Sequence, residues 1–410
     1  MTAPELPEHY FRRELGRLVS ILSRRFGLHR MDLCEDAAQT ALLQATQSWV
    51  SKLPDDPGAW LYRVAHNHVL DELRREKRDE RYLAQVHVDY AQQEVHDDVL
   101  RLLFVCADPA IPPESQLVLA LKTLCGFSTE EIALRLFQSE DAIHKRLQRG
   151  RARLREHAEV QGIHPDRVHS VLHMLYLLFS EGYSSAQPDR LIRRELCDEA
   201  LRLALMLRED PEGALPETDA LVALMCFHAA RFDARVDGTG GLLLLEVQDR
   251  SLWNRELVQR GLAHLIQAAR GETLSRYHAE AGLAAEHCLA ASYADTNWEE
   301  IVRLYEVLER IAPSPLNVLN RAIALAEWKG PDAGLAALEA IEAPGWLLGY
   351  YLWDATLGEL HRRRGDRDRA LAHTKRALAA APTNPEKALL ERRMKEISGQ
   401  KGSTSDRTSG

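Results

Sequence analysis

The sequence predicts an all-α protein of several domains, on three observations. Apolar residues recur three and four positions apart along almost the whole chain, alternating β-branched stretches are nearly absent, and charged or glycine/proline-rich breaks divide the helical pattern. With 410 residues, 45% of them hydrophobic, there is enough apolar side chain for more than one core.

The first 80 residues hold the first helical unit. Asp56-Pro57 supplies an N-cap and a first-turn proline for a helix over residues 59–78, with Trp60, Val64, Leu70 and Leu73 expected inward. Arg63, Asn67 and Arg74 share its outward face, and Arg74, Arg75, Lys77 and Arg78 make a basic end suited to phosphates. Residues 81–98 are highly charged with weak periodicity and read as a linker.

Residues 99–160 carry the sharpest local signal, a helix-turn-helix. Pro112-Pro113 opens a helix through Leu117, Leu121 and Leu124, and Gly126 closes it. Ser128 and Glu131 form a capping box, with Phe127 and Ile132 at the staple positions, so a helix of one to two turns follows at once. After Phe137-Gln138, Ser139 caps a third helix whose back is Ile143, Leu147, Gly150 and Leu154. Its front carries Asp141, His144, Lys145, Gln148 and Arg149, with Arg146, Arg151, Arg153 and Arg155 flanking. An apolar back and a mixed polar front suit a helix lying in the major groove, where arginine and lysine bond guanine edges or phosphates. The net charge of −9 argues against nucleic-acid binding only if spread evenly, and here the basic residues are concentrated.

A break at residues 162–165 opens a third unit, residues 164–397. From about residue 280 it repeats with a period near 34: Leu357, Gly358, Ala370, Ala377 and Pro382 fit one copy, Trp298, Tyr305, Leu308 and Pro313 another, and a weaker one ends near Pro344. Small residues at these positions let paired helices approach closely, which is a tetratricopeptide-like pattern. Residues 238–247 are the one strand-like run, and the Gly/Ser/Thr-rich tail 398–410 is expected to be disordered.

Within this frame the residues resemble a known family. WLYRVAHNHVLDELRR is similar to the promoter −10 helix of extracytoplasmic-function sigma factors, CEDAAQTALLQATQSW to their polymerase-clamp-binding helix, and GFSTEEIALRLFQSEDAIHKRLQRGRARLRE to their −35-reading helix-turn-helix. The resemblance implies that Glu35, Asp36 and Gln39 face the clamp helices of core RNA polymerase, with region 4 on its flap. It places Lys52, Asp55 and Asp56 in a base-selecting loop, Asn67 and Asp71 at the melted −10 bases, and Arg146 and Arg149 on −35 duplex. Gly150 departs from the family's alanine, and Phe137-Gln138 from its small turn residue. The long C-terminal part resembles the extension of one sigma-factor group, thought to regulate activity.

Catalytic and metal readings compete poorly. His66-Asn67-His68 spells part of a nuclease motif but falls mid-helix, where i and i+2 diverge. His169 and His173 share a face but lack the glutamate of HExxH, and the six cysteines form no CxxC pair. Tyr183, Asp249, Arg250 and Trp253 read as structural. No cofactor, metal or chemistry of its own is therefore expected, and the expected place of action is the cytoplasm, without a membrane segment. The expected partners are core polymerase, promoter DNA and a regulator on the C-terminal domain. The alternatives are a helix-turn-helix regulator that never meets polymerase, and a repeat adaptor with a degenerate sigma module.

Overall fold

The structure, a computed structural model, describes residues 8–50, 52–75, 92–136, 138–157, 165–183, 192–237 and 241–399. Helices account for all the regular structure among these residues. Residues 238–240 of the strand-like run 238–247 lie outside the described residues; in the rest, Leu242 makes one isolated antiparallel bridge with Val236, and a 3-10 turn follows at Leu245–Val247. No helix among the described residues is long and apolar enough to cross a membrane. Most of the linker 81–98 and all of the tail beyond Gly399 lie outside the described residues.

The chain forms two compact units. The first comprises residues 1–182 and 193–214. It holds α1 (Glu8–Phe26), α2 (Met31–Ser48), α3 (Pro57–Arg75), α4 (Gln92–Cys106), α5 (Pro113–Thr123), α6 (Thr129–Arg135), α7 (Glu140–His157), α8 (Val168–Tyr183, through Gly182) and α9 (Arg194–Glu209). Helices α1, α2 and α3 pack as a bundle around Leu18, Leu22, Ala38, Leu61 and Ala65, all fully buried. Helix α4 closes the bundle against α1, and α5, α6 and α7 form the tri-helical module. The sequence break near residue 164 is thus not the edge of this unit, because α8 and α9 belong to it. Their apolar faces, Val171, Leu172 and Leu175 on α8 and Ala200, Leu203 and Ala204 on α9, are buried.

The second unit comprises residues 183–192 and 215–410. It contains α10 (Pro216–Ala229), α11 (Arg255–Ala268), α12 (Arg276–Leu289), α13 (Trp298–Ile311), α14 (Pro315–Lys329), α15 (Pro331–Glu339), α16 (Gly345–Leu348), α17 (Tyr351–Arg364), α18 (Arg367–Ala380) and α19 (Asn384–Ser398). From α13 onward each long helix packs mainly on its sequence neighbours, whereas α12 packs most on α10. Small residues set the spacing: a Cβ on Gly334 of α15 would stand 2.7 Å from the Ala322 carbonyl of α14, and one on Gly358 of α17 would stand 2.8 Å from Thr374 Oγ1 of α18. Trp253 is buried between the guanidinium groups of Arg231 and Arg250, 5.3 and 4.5 Å from its ring centre. Arg250 also caps the end of α12 by donating to the carbonyls of His287 and Ala290 at 2.6 and 2.8 Å.

Candidate nucleic-acid interface

Helix α3 begins as its sequence dictates: Asp56 Oδ1 accepts the Ala59 amide at 2.8 Å, and Pro57 is the first helical residue. Its buried stripe is Leu61, Ala65, Val69 and Leu73. That corrects the inward set expected from the sequence, since Trp60, Val64 and Leu70 are only half-buried. The reason is geometric: Trp60 turns sideways to meet Trp49 edge-on at 5.2 Å, leaving the i, i+4 row one residue later to face the bundle.

On the opposite side of this region Lys52, Asp55, Asp56, Arg63, Asn67, Asp71, Arg74 and Arg75 are all exposed. Arg74 pairs with Asp71 at 2.9 Å and Arg75 with Glu72 at 2.5 Å, but the two arginines remain 60% and 74% exposed. Water screens such pairs, so exchanging them for phosphate contacts is cheap. His66 lies between Phe26 and Tyr62, each ring centre 5.5 Å away, and burial followed by the nearby Arg25 charge lowers its pKa. A hydrogen bond with the Asn67 side chain acts against that lowering, while Asn67 itself stays exposed.

The tri-helical module is built on its caps. Glu131 N–H donates to Ser128 Oγ at 3.0 Å and Ser128 N–H to Glu131 Oε2 at 2.7 Å, with Phe127 and Ile132 fully buried beneath. Ser139 Oγ accepts the Ala142 amide at 3.3 Å at the start of α7, while Phe137 lies outside the described residues. Ile143, Leu147, Gly150 and Leu154 form the buried back of α7. Asp141, His144, Lys145, Gln148 and Arg149 are exposed in front, and Arg146 is half-buried at their edge. Gly150 is not forced by crowding, because a Cβ there would meet Leu119 Cδ2 and the Ser115 carbonyl at 3.7 Å, ordinary contact.

The expected polymerase-facing residues divide. Asp36 and Gln39 are exposed on α2, but Glu35 is buried, 5% exposed, and so does not face solvent in this arrangement. Thr123 Oγ1 donates to Glu35 Oε1 at 2.7 Å and Arg151 pairs with Glu35 Oε2. Burial lifts the Glu35 carboxyl above its ordinary pKa, against the Arg151 charge and the Thr123 hydrogen bond, which pull it down. Asp32, one turn earlier, takes Arg151 at 3.0 Å and also Arg155.

A second seam lies along α1. A Cβ on Gly16 would stand 2.2 Å from the Leu124 carbonyl, so only glycine permits this approach. Arg12 donates to the Gly126 carbonyl at 3.0 Å and to Glu131 at 2.9 Å. Arg193, just before α9, reaches the same carboxylate at 3.5 Å and lies over Phe127. Burial alone would raise the Glu131 pKa, but the hydrogen bonds from Arg12 and the Ser128 amide outweigh it and hold this carboxyl below its ordinary range. Sequence reasoning did not find Arg12, Asp32 or Arg193, since nothing local marks a pair more than 60 residues apart.

Comparison with known proteins divides the chain differently at α8 and α9, which fall in a family match that runs on into the second unit. Residues 10–79 match Sigma-70 region 2, residues 109–154 match Sigma-70, region 4, and residues 167–269 match a family of unknown function, DUF6596. An uncharacterised protein of Rhizobium meliloti (strain 1021) is 36% identical over 392 residues, covering 90% of this chain and 91% of that protein. No solved structure matches the chain. Regions 2 and 4, in this order, are the parts with which a sigma factor joins core RNA polymerase, recognises promoter DNA and initiates transcription. The chain belongs to the sigma-70 family of transcription initiation factors and carries a C-terminal helical extension.

Proposed function

We propose that the chain is a sigma factor of the extracytoplasmic-function type, acting in the cytoplasm, whose C-terminal tetratricopeptide-like domain regulates it. In this reading Glu35, Asp36 and Gln39 dock on the polymerase clamp. The face of Lys52, Asp55, Asp56, Arg63, Asn67, Asp71, Arg74 and Arg75 holds opened −10 DNA. Asp141, His144, Lys145, Arg146, Gln148 and Arg149 read −35 duplex. The observation that carries it is the sidedness of α3 and α7: each buries one apolar stripe and leaves its whole DNA-facing set at the surface, Arg146 alone half-covered. A regulatory role for the second unit is supported by a cavity of about 330 Å³ there, lined by Trp298, Ile301, Tyr305, Asn320, Ile323 and Leu352. Glu246, Glu327, Glu359, Arg363 and Arg393 share the lining with these residues, so the cavity offers a ligand both apolar contact and charged partners.

The test is run-off transcription by core polymerase with the full chain on genomic promoters. Transcription should depend on the chain, and Arg149→Ala should weaken initiation by roughly 5- to 150-fold, the range of about 1–3 kcal/mol for one bidentate base contact. A chain that binds duplex DNA tightly without polymerase and never supports initiation would be a helix-turn-helix regulator instead.

A further inference from the structure

We infer that Asp32 and Glu35 on α2 form a guanidinium-binding surface with two mutually exclusive occupants: Arg151 and Arg155 of the chain's own recognition helix, and a basic helical surface of core polymerase. The inference rests on the sigma-factor reading above and adds to it how the polymerase-binding face is guarded in the free protein.

The geometry carries the first half. Arg151 and Arg155 stand one helical turn apart on α7, as Asp32 and Glu35 do on α2, so two guanidinium groups meet two carboxylates across the seam. The pairs are unequal. The Asp32 and Arg155 side chains are 43% and 51% exposed, so water competes for that pair, whereas Glu35 and Arg151 are 7% and 23% exposed. Arg151 is therefore the principal bolt, and Thr123 occupies the other Glu35 oxygen. Along α1, the Arg12–Glu131 pair and the Gly16–Leu124 contact extend the same closure, and Arg193 joins it from the start of α9.

Distance carries the second half. Elements at −10 and −35 lie about 25 base pairs apart, roughly 85 Å of duplex at ~3.4 Å per step. Helix α7 has 18 residues, about 27 Å at ~1.5 Å each, and it touches the bundle that presents α3. Two readers so close together cannot serve both elements, so the closed arrangement is the state off DNA. Opening it frees Asp32 and Glu35, two carboxylates one turn apart, to accept a partner that offers the same arginine chemistry.

The test uses the full chain with dyes at Leu43 and Ala152, both exposed. Energy transfer should be high in the free protein and fall in the double variant Arg151→Gln/Arg155→Gln, with core polymerase then bound about tenfold more tightly if the closed form is nine-tenths populated. Asp32→Arg alone should also open the chain, and adding Arg155→Asp to it should close it again; this series keeps the inference testable should the double variant not fold. Unchanged energy transfer, or opening without tighter polymerase binding, overturns it. Loss of transfer with no polymerase binding by any form, wild type included, overturns the sigma-factor reading and the second occupant with it.

Discussion

The two units differ in how far along the sequence their ion pairs reach. In the first, elements far apart in sequence meet through charge: Arg12 with Glu131, Arg24 with Asp98, Arg151 with Glu35 and Arg167 with Asp108. The second unit also has pairs between helices, such as Arg321–Glu309 and Arg363–Glu327, but these link elements near in sequence. Many others stay within one helix, as Arg276–Glu280 and Arg362–Glu359 do, and close approach at Gly334 and Gly358 adds to them. A seam of ion pairs can exchange its partners for water or another protein, whereas a seam of small residues cannot part without losing its packing. The long-range pairs of the first unit are thus open to exchange, while the glycine contacts at Gly334 and Gly358 fix the spacing of their helices in the second.

Acid sharpens this contrast most. His228 and His287 are half-buried in the second unit, and desolvation first, then the charge of Arg231, pushes both pKa values down to about 3. A folded pKa below the unfolded one means the unfolded chain binds the extra proton. The stability these residues contribute is therefore present above about pH 6.5 and lost as pH falls toward 3. At pH 5 the loss is about 2 kcal/mol for each histidine, so denaturant unfolding of the second unit should move to lower midpoints between pH 7 and pH 5. Equal shifts in both units would break the comparison.

Next in size is Gly334→Val. Its Cβ would press on the Ala322 carbonyl and on Ala326 Cβ at 2.9 Å, costing about 3 kcal/mol of stability by overpacking. Thermal unfolding should show the loss in the second unit with the first unmoved. The smallest effect has the opposite sign. Gly150→Ala meets only ordinary contacts and removes a helix-interior glycine, so it should stabilise the tri-helical module by up to about 1 kcal/mol. Destabilisation there would show that α5 and α7 lie closer than described.

Much of the interface was legible in the sequence because its signals are local. Asp56 and Pro57 cap α3, Ser128 and Glu131 box α6, and the polar front of α7 follows from its apolar back, all within a few residues. The closed seam was not legible, since Glu35 and Arg151 are 116 residues apart and each alone looks like a surface charge. Nor was the membership of α8 and α9 in the first unit, because an apolar helix face does not say which neighbour covers it. On α3 Leu73 is buried as expected, while Trp60, Val64 and Leu70 are half-buried beside a stripe of Leu61, Ala65 and Val69, as a large Trp60 outweighs a small Ala65 in any reading by hydrophobicity.

The most direct test of the account is photo-crosslinking from positions 67 and 149 in an initiation complex of this chain, core polymerase and promoter DNA. The account predicts that position 67 marks unpaired bases near −10 while position 149 marks duplex about 25 base pairs upstream, roughly 85 Å away. Crosslinks from both positions to a single short stretch of duplex, or to none, would contradict it.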